Sequence, residues 1–264
     1  VRDVVLEALY EHCEVDEGEE YEPNMSTSPE QIGSPAAYAA GYTGAGTRIA
    51  IVDTGLDLDH ISFSAAGFQY SLALQAGRAD VSVEDYIQQL DLLDAEEIQA
   101  HLDQLNVKEY AAEITADGLY QNRKVPFGYN YIDRSHTYLG HDQDLEGEHG
   151  SHVAGIATSN AYIPNGDGTF STALDSVLVQ GVAPDAQLLV MKVFGQNGGA
   201  YDSDYMAAIE DAIVLGADSV NLSLGSTSPG FTRSDAYQEV MDRLTESDTV
   251  VVISAGNAGH WADN

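Results

Sequence analysis

Asp53, His149 and Asn257 stand out in this sequence because each lies at the end of a segment that predicts a regular element. Asp53 ends the apolar run 49–52 before a Thr-Gly turn, and Asn257 follows shortly after the apolar run 250–253. His149 begins a stretch of small residues typical of a closely packed helix. A carboxylate can hold a histidine as the general base for a hydroxyl nucleophile, and an amide N–H can stabilise the resulting oxyanion. The three residues are therefore candidates for acyl-transfer catalysis.

The surrounding pattern predicts an α/β fold that would bring these residues together. Continuous apolar runs alternate with amphipathic helical stretches through the second half of the chain: strands near 187–194, 218–224 and 249–254, and helices near 205–215 and 236–244. Apolar strands alternating with helices predict a mostly parallel sheet covered by helices on both faces. Open sheets of this kind place functional groups at the carboxyl ends of their strands, where Asp53 lies.

Two further regions do not follow this alternation of strands and helices. Residues 64–124 contain a Ser82 cap before one helical pattern and an Asp94 cap before a second, and we interpret them as a helical insertion on the surface. A small independent binding domain is the alternative. Residues 1–33 are acidic and predict a solvated leader segment. The remaining residues, 34–264, form the predicted catalytic part of the chain.

The motifs, taken in order, resemble those of the subtilisin-like serine proteases, or subtilases. Asp53, His149 and Asn257 match the family's catalytic Asp, catalytic His and oxyanion-hole Asn. The segment Ser223-Leu224-Gly225 resembles the stretch that pairs with the extended substrate backbone and lines the primary specificity pocket. The resemblance also implies substrate contacts at the two residues before the amide, which are Ala255 and Gly256.

One expected motif is missing, since the sequence contains no Gly-Thr-Ser-Met-Ala nucleophile segment. The wide spacing from Asp53 to His149 and the acidic composition resemble the large cell-envelope subtilases of the lactocepin and C5a-peptidase type. In that group a protease-associated domain often lies between the Asn and the Ser, so a chain ending at Asn264 would stop near that junction. Ser151 is a milder departure, because threonine is commoner there. We therefore expect the subtilisin-like fold to be incomplete at its C-terminus.

The resemblance implies a secreted or cell-envelope serine endopeptidase that acts on extended polypeptides and needs no cofactor for catalysis. A structural calcium site is left open. Without the serine, the 264-residue chain itself should be inactive, because His149 has no hydroxyl to deprotonate. The alternative function is a catalytically dead subtilase fold used as a binding or regulatory module.

Composition restricts the partners of the protein. The 10 Lys and Arg residues against 43 Asp and Glu residues give a formal charge of −33, which would repel nucleic acid and anionic membranes. No apolar stretch approaches the ~20 residues that span a bilayer. Cys13 is the only cysteine and cannot form an internal disulfide. The first residue is valine and no leader pattern follows it, which indicates a piece of a longer precursor.

Other chemistries fit the sequence less well. Aspartic proteases need two Asp-Thr-Gly motifs, and we find one, at Asp53. A metal-binding pair of His149 and His152 has no obvious third ligand, and we expect His152 to be a hydrogen-bonded structural residue. The acidic run 142–147 begins like a calcium-binding EF-hand loop, but its twelfth position is Val153 instead of glutamate. We interpret that run as a solvated loop.

Overall fold

The computed structural model describes residues 9–12, 28–111, 113–136, 147–225 and 235–254. Its strands, in chain order, are β1 (Leu9–His12), β2 (Arg48–Asp53), β3 (Phe127–Asn130), β4 (Tyr162–Pro164), β5 (Phe170–Thr172), β6 (Gln187–Lys192), β7 (Ala200–Tyr201), β8 (Ser219–Leu222), β9 (Leu224–Gly225) and β10 (Val250–Ile253).

The α-helices follow the same order along the chain. They are α1 (Ser28–Gln31), α2 (Ser34–Ala39), α3 (Ala65–Arg78), α4 (Val83–Gln89), α5 (Ala95–His101), α6 (Asn106–Tyr110), α7 (Ala116–Leu119), α8 (His149–Thr158), α9 (Ala173–Ser176), α10 (Asp202–Val214) and α11 (Asp235–Glu246). Short 3₁₀ turns lie at Ile61–Phe63 and Leu102–Gln104. Among the described residues, no helix is both long and apolar enough to cross a membrane.

A five-stranded sheet in the order β10-β8-β2-β6-β3 forms the centre of the molecule. Its neighbouring strands all pair in parallel. The predicted α/β fold is therefore confirmed, and β2 lies in the middle of the sheet. Because parallel strands end at the same edge, the residues after β2, β8 and β10 come together there.

Helices cover both faces of this sheet, as the alternation along β2 shows. Ala50 and Val52 belong to a large apolar core that includes α10 residues such as Ala208. Ile51 points to a second, smaller core that includes Ala154 of α8. Since successive side chains of a strand point to opposite faces, the two cores lie on opposite sides of the sheet. Asp53 lies two residues beyond Ile51 and shares the face covered by α8.

The helical caps predicted in residues 64–124 are present. Ser82 accepts from the Asp85 N–H before α4, and Asp94 accepts from the Glu96 and Glu97 N–H groups before α5. Each satisfies donors that the first helical turn leaves without intrahelical partners.

The placement of this segment differs from the prediction of a surface insertion. Its apolar side chains are buried in the large core together with those of the sheet, namely Leu93, Ile98, Leu102, Leu105, Val107, Ile114, Ala116 and Leu119. The helix that Ser82 caps, α4, ends before Leu90, whose backbone is extended. The amide of Gln187 pairs with the Leu93 backbone, accepting from its N–H and donating to its C=O. These contacts hold the chain around Leu93 against the start of β6.

The acidic N-terminal leader also differs from its prediction. Its residues Leu9–His12 form β1, which pairs antiparallel with β7 on one side and with β9 on the other. This part of the leader is therefore a strand with paired backbone on both sides, which the prediction of a solvated leader did not include. The rest of residues 1–27 lies outside the described residues.

Arg48 connects β2 to the helical segment and to the end of α10. Its guanidinium donates to Leu215 O at 2.9 Å and forms ion pairs with Asp91 at 2.9 Å and Glu97 at 3.1 Å. The residue is 3% exposed, so removing it would leave polar groups without partners in or near the core.

We expect Arg48→Met to lower the free energy of unfolding by about 1–3 kcal/mol, because the buried Leu215 carbonyl loses its donor. The two carboxylates contribute less to this loss, since Asp91 is exposed and Glu97 is one-third exposed. Urea unfolding followed by circular dichroism measures this change. Arg78→Met is the matched control, because Arg78 is exposed at the end of α3 and should change stability little. Equal stability losses in the two variants would contradict the role of Arg48.

Candidate active site

Asp53 is a buried carboxylate at the carboxyl end of β2. It is 1% exposed, and its Oδ1 accepts a hydrogen bond from the Thr54 N–H at 2.7 Å. The same oxygen lies 2.7 Å from Nδ1 of His149. The buried Oδ2 has no hydrogen-bond partner among the described residues. The side-chain hydrogen bonds that the structure gives Asp53 therefore both use Oδ1.

His149 is the first residue of α8, and its side chain is 18% exposed. The hydrogen bond that the ring makes to Asp53 raises the pKa of His149 above its usual 6.5. Partial burial of the ring lowers this pKa, and the negative charge of the carboxylate raises it. With Nδ1 facing the carboxylate, Nε2 is the ring nitrogen on the opposite side. The contact between Asp53 and His149 that the sequence predicted is thus present, in the orientation a histidine base requires.

Small residues allow α8 to approach the turn after β2 closely. A Cβ added to Gly150 would lie 2.3 Å from Gly55 O, a distance at which no side chain fits. Farther along, the Asp57 N–H donates to the Ser151 hydroxyl at 2.8 Å. The serine found at position 151 therefore provides a second connection between the turn and the helix.

Lys192 is a site residue that the sequence analysis missed. It is 2% exposed, pairs in register with Asp53 across β2 and β6, and donates from Nζ to Thr54 O at 2.7 Å. The signal was available in the sequence as a lysine at the end of an otherwise apolar strand, between Met191 and Val193.

The predicted substrate-pairing segment lies at the same edge of the sheet. Leu222 is in register with Val52, so Ser223, the residue after β8, lies level with Asp53 at the end of β2. Leu224 and Gly225 form β9, whose antiparallel partner is β1. An extended piece of chain therefore already pairs with this segment through its backbone.

The third predicted motif lies mostly outside the described residues. Ala255, Gly256 and Asn257 belong to the undescribed C-terminal residues, so their predicted roles stay predictions. Ser254, the residue just before them, is described by the structure. Ser254 donates from its backbone N–H to Leu222 O at 3.1 Å and from its hydroxyl to Leu224 O at 3.0 Å. The chain thus leaves β10 beside the predicted substrate-pairing segment.

The metal-binding alternatives gain no support from the described residues. No group of three or more His, Cys, Asp or Glu side chains is arranged there to hold a metal ion. The acidic run that resembles the start of an EF-hand loop lies largely outside the described residues, at 142–146. His152 is exposed on α8, and the hydrogen bond predicted for its ring stays a prediction.

Comparison with known proteins agrees with this arrangement. The profile described as "Subtilase family" matches residues 44–263. The chain is 34% identical over 221 residues to the PI-type proteinase of Lactococcus lactis subsp. cremoris, which covers 83% of this chain and 10% of that protein. It is 30% identical over 216 residues to the C5a peptidase of Streptococcus pyogenes serotype M18, covering 81% of this chain and 15% of that protein.

A third relative matches a slightly larger share of the chain. The minor extracellular protease Vpr of Bacillus subtilis is 27% identical over 243 residues, which cover 90% of this chain and 21% of that protein. The chain therefore spans about a tenth to a fifth of the length of these relatives. Since the family profile covers most of its residues, the chain belongs to the subtilase family.

Proposed function

We propose that this chain is the N-terminal part of the catalytic domain of a serine endopeptidase, in which Asp53 and His149 are two members of the triad. The observation that carries the proposal is the 2.7 Å contact between Asp53 Oδ1 and His149 Nδ1 at the carboxyl edge of the sheet. Family membership supports the same reaction class. The nucleophile would be a serine outside these 264 residues.

In the proposed mechanism, Asp53 holds the Nδ1–H tautomer of His149, so that Nε2 can accept a proton. Nε2 takes the serine hydroxyl proton as the serine oxygen forms a bond to the scissile carbonyl carbon. Asn257 donates to the oxyanion of the tetrahedral intermediate. His149 then returns the proton to the departing amine, and water hydrolyses the acyl-enzyme by the same steps. These groups carry out the reaction by acid–base and covalent catalysis without a cofactor.

The proposed substrate is an extended polypeptide that adds as a strand beside β9. The pairing of Glu11 and His12 with Gly225 and Leu224 supports this, because an antiparallel chain already uses the backbone groups of β9 there. The substrate would take the place of this part of β1. Ser223, Ala255 and Gly256 would complete the surface around the cleaved bond. The charge of −33 argues against nucleic acid as a partner.

We further propose that the protein acts outside the cell or at the cell envelope. The Bacillus relative is named an extracellular protease, and the acidic composition is compatible with a secreted protein. The expectation of a structural calcium ion stays open.

Substitutions in the full-length protein test this function. We expect His149→Ala to lower kcat by about 10⁶, Asp53→Asn by about 10⁴, and Asn257→Ala by about 10²–10³, with the 264-residue chain alone inactive. Hydrolysis of casein and of a chromogenic peptide measures these effects.

His152→Ala is the matched control for these substitutions, because it removes an exposed histidine from the same helix and should leave kcat near that of the wild type. Full activity in His149→Ala would contradict the proposal. A full-length protein that binds peptide without cleaving it would instead support the alternative, a catalytically dead binding module.

The pH dependence follows from the raised pKa of His149. Because folding raises this pKa, the contact with Asp53 contributes its full stability below pH 6.5 and loses it as pH rises through the folded value. Base catalysis has the opposite dependence, so kcat/KM should rise with pH through that same value. We expect NMR titration of the His149 ring to give a pKa above 6.5, and Asp53→Asn to lower it. A pKa that Asp53→Asn leaves unchanged would show that the contact does not form in solution.

A further inference from the structure

The N-terminus of α8 lacks a side-chain cap of its own. Glu148 is the N-cap residue and makes no side-chain hydrogen bond to the first turn. The first N–H groups of a helix have no intrahelical partners, so a buried helix start needs an acceptor from elsewhere. The Gly150 N–H finds that acceptor in the Thr54 hydroxyl, at 2.8 Å. Thr54 lies 96 residues earlier in the chain.

The Thr54 hydroxyl contacts the backbone on both sides of His149. It accepts from the Gly150 N–H, and it donates to Gly147 O at 3.4 Å. Thr54 is fully buried, so water does not compete for these contacts. The close approach of Gly150 to Gly55 O leaves the first turn of α8 no space to move towards the turn after β2. The backbone that carries His149 is therefore fixed relative to the turn that carries Thr54.

The remaining polar groups of Thr54 contact the other charged residues of the site. Its N–H donates to Asp53 Oδ1 at 2.7 Å, and its carbonyl accepts from Lys192 Nζ at 2.7 Å. One residue thus orients the carboxylate through its backbone and the histidine helix through its side chain. A change at its hydroxyl would alter the relation between Asp53 and His149 without removing either.

We propose that Thr54 is a positioning residue whose hydroxyl caps α8 from a distant part of the chain and thereby sets the hydrogen bond between Asp53 and His149. The proposal deepens the proposed function, since accurate placement of the base is what a protease would gain from it. The placement itself is a property of the folded chain and can be measured without catalysis.

The test compares Thr54→Val, which removes the hydroxyl at nearly constant shape, with Thr54→Ser, which retains it. Thr158→Val is the matched control, because Thr158 is a threonine of α8 that is as fully buried as Thr54. Its hydroxyl donates to Ala154 O within the same helix and does not connect α8 to the turn after β2. The readouts in the 264-residue chain are the NMR titration of His149 and the low-field resonance of its Nδ1–H. The protein contains 8 histidines, so His149→Gln assigns the signals.

We expect Thr54→Val to shift the pKa of His149 back towards 6.5 and to weaken the low-field resonance. Thr54→Ser and Thr158→Val should retain the wild-type values. In the full-length protein, Thr54→Val should lower kcat by up to about 10²-fold, as for a base displaced by a fraction of an ångström to one ångström, with KM nearly unchanged. If Thr54→Val does not fold, Thr54→Ala removes the same hydroxyl without adding a methyl group and replaces it in the test.

Wild-type titration of His149 in a folded Thr54→Val chain would overturn the proposal, and so would an equal shift in Thr158→Val. The proposed function fails by a different result, which is full activity of the full-length His149→Ala variant. In that case the titration of His149 still decides whether Thr54 positions the helix.

Discussion

The site depends on the close approach of two backbones, the turn after β2 and the first turn of α8. Gly150 has no room for a Cβ beside Gly55 O, and only at this separation does His149 Nδ1 reach Asp53 Oδ1 at 2.7 Å. The contact joins the central strand of the sheet to a helix on one of its faces. The end of β2 is held in place because β8 and β6 pair with this strand on its two sides and an apolar core packs on each of its faces.

Buried polar side chains connect the elements around this centre, often by capping a helix that lies far away in sequence. Asp211 of α10 accepts from the Asn106 and Val107 N–H groups at the start of α6, and from the Tyr131 hydroxyl. Burial raises the pKa of this carboxyl group to about 7, although its hydrogen-bond donors oppose the shift. Thr54 likewise caps α8 from a distant part of the chain, by accepting from the Gly150 N–H. In both cases the capped helix has no side-chain cap of its own.

The sequence predicted those parts of the molecule that depend on local pattern. The parallel sheet followed from its apolar strands, and the helix expected near residues 205–215 is present as α10. The caps at Ser82 and Asp94 are equally local. The contact between Asp53 and His149 was predictable because each motif ends or begins a regular element, so the topology of the sheet brings them to one edge.

The parts that the sequence did not predict depend on contacts between distant segments. The apolar side chains after Asp94 fit a surface helix as well as a buried one, and only packing against the sheet decides that they are core. The acidic composition of the N-terminal residues predicted solvation, but backbone pairing of β1 is largely independent of side-chain type. The contacts that Thr54, Lys192 and Asp211 make with Gly150, Thr54 and Asn106 span 96, 138 and 105 residues, and no local pattern indicates them.

The central claim is that His149 serves as the base for a serine outside these 264 residues. Covalent labelling of the full-length protein with a fluorophosphonate, followed by mass-spectrometric mapping of the modified peptide, tests it most directly. We expect stoichiometric modification of one serine beyond residue 264, and loss of that modification in His149→Ala. A modified serine within residues 1–264, or labelling that does not depend on His149, would contradict it.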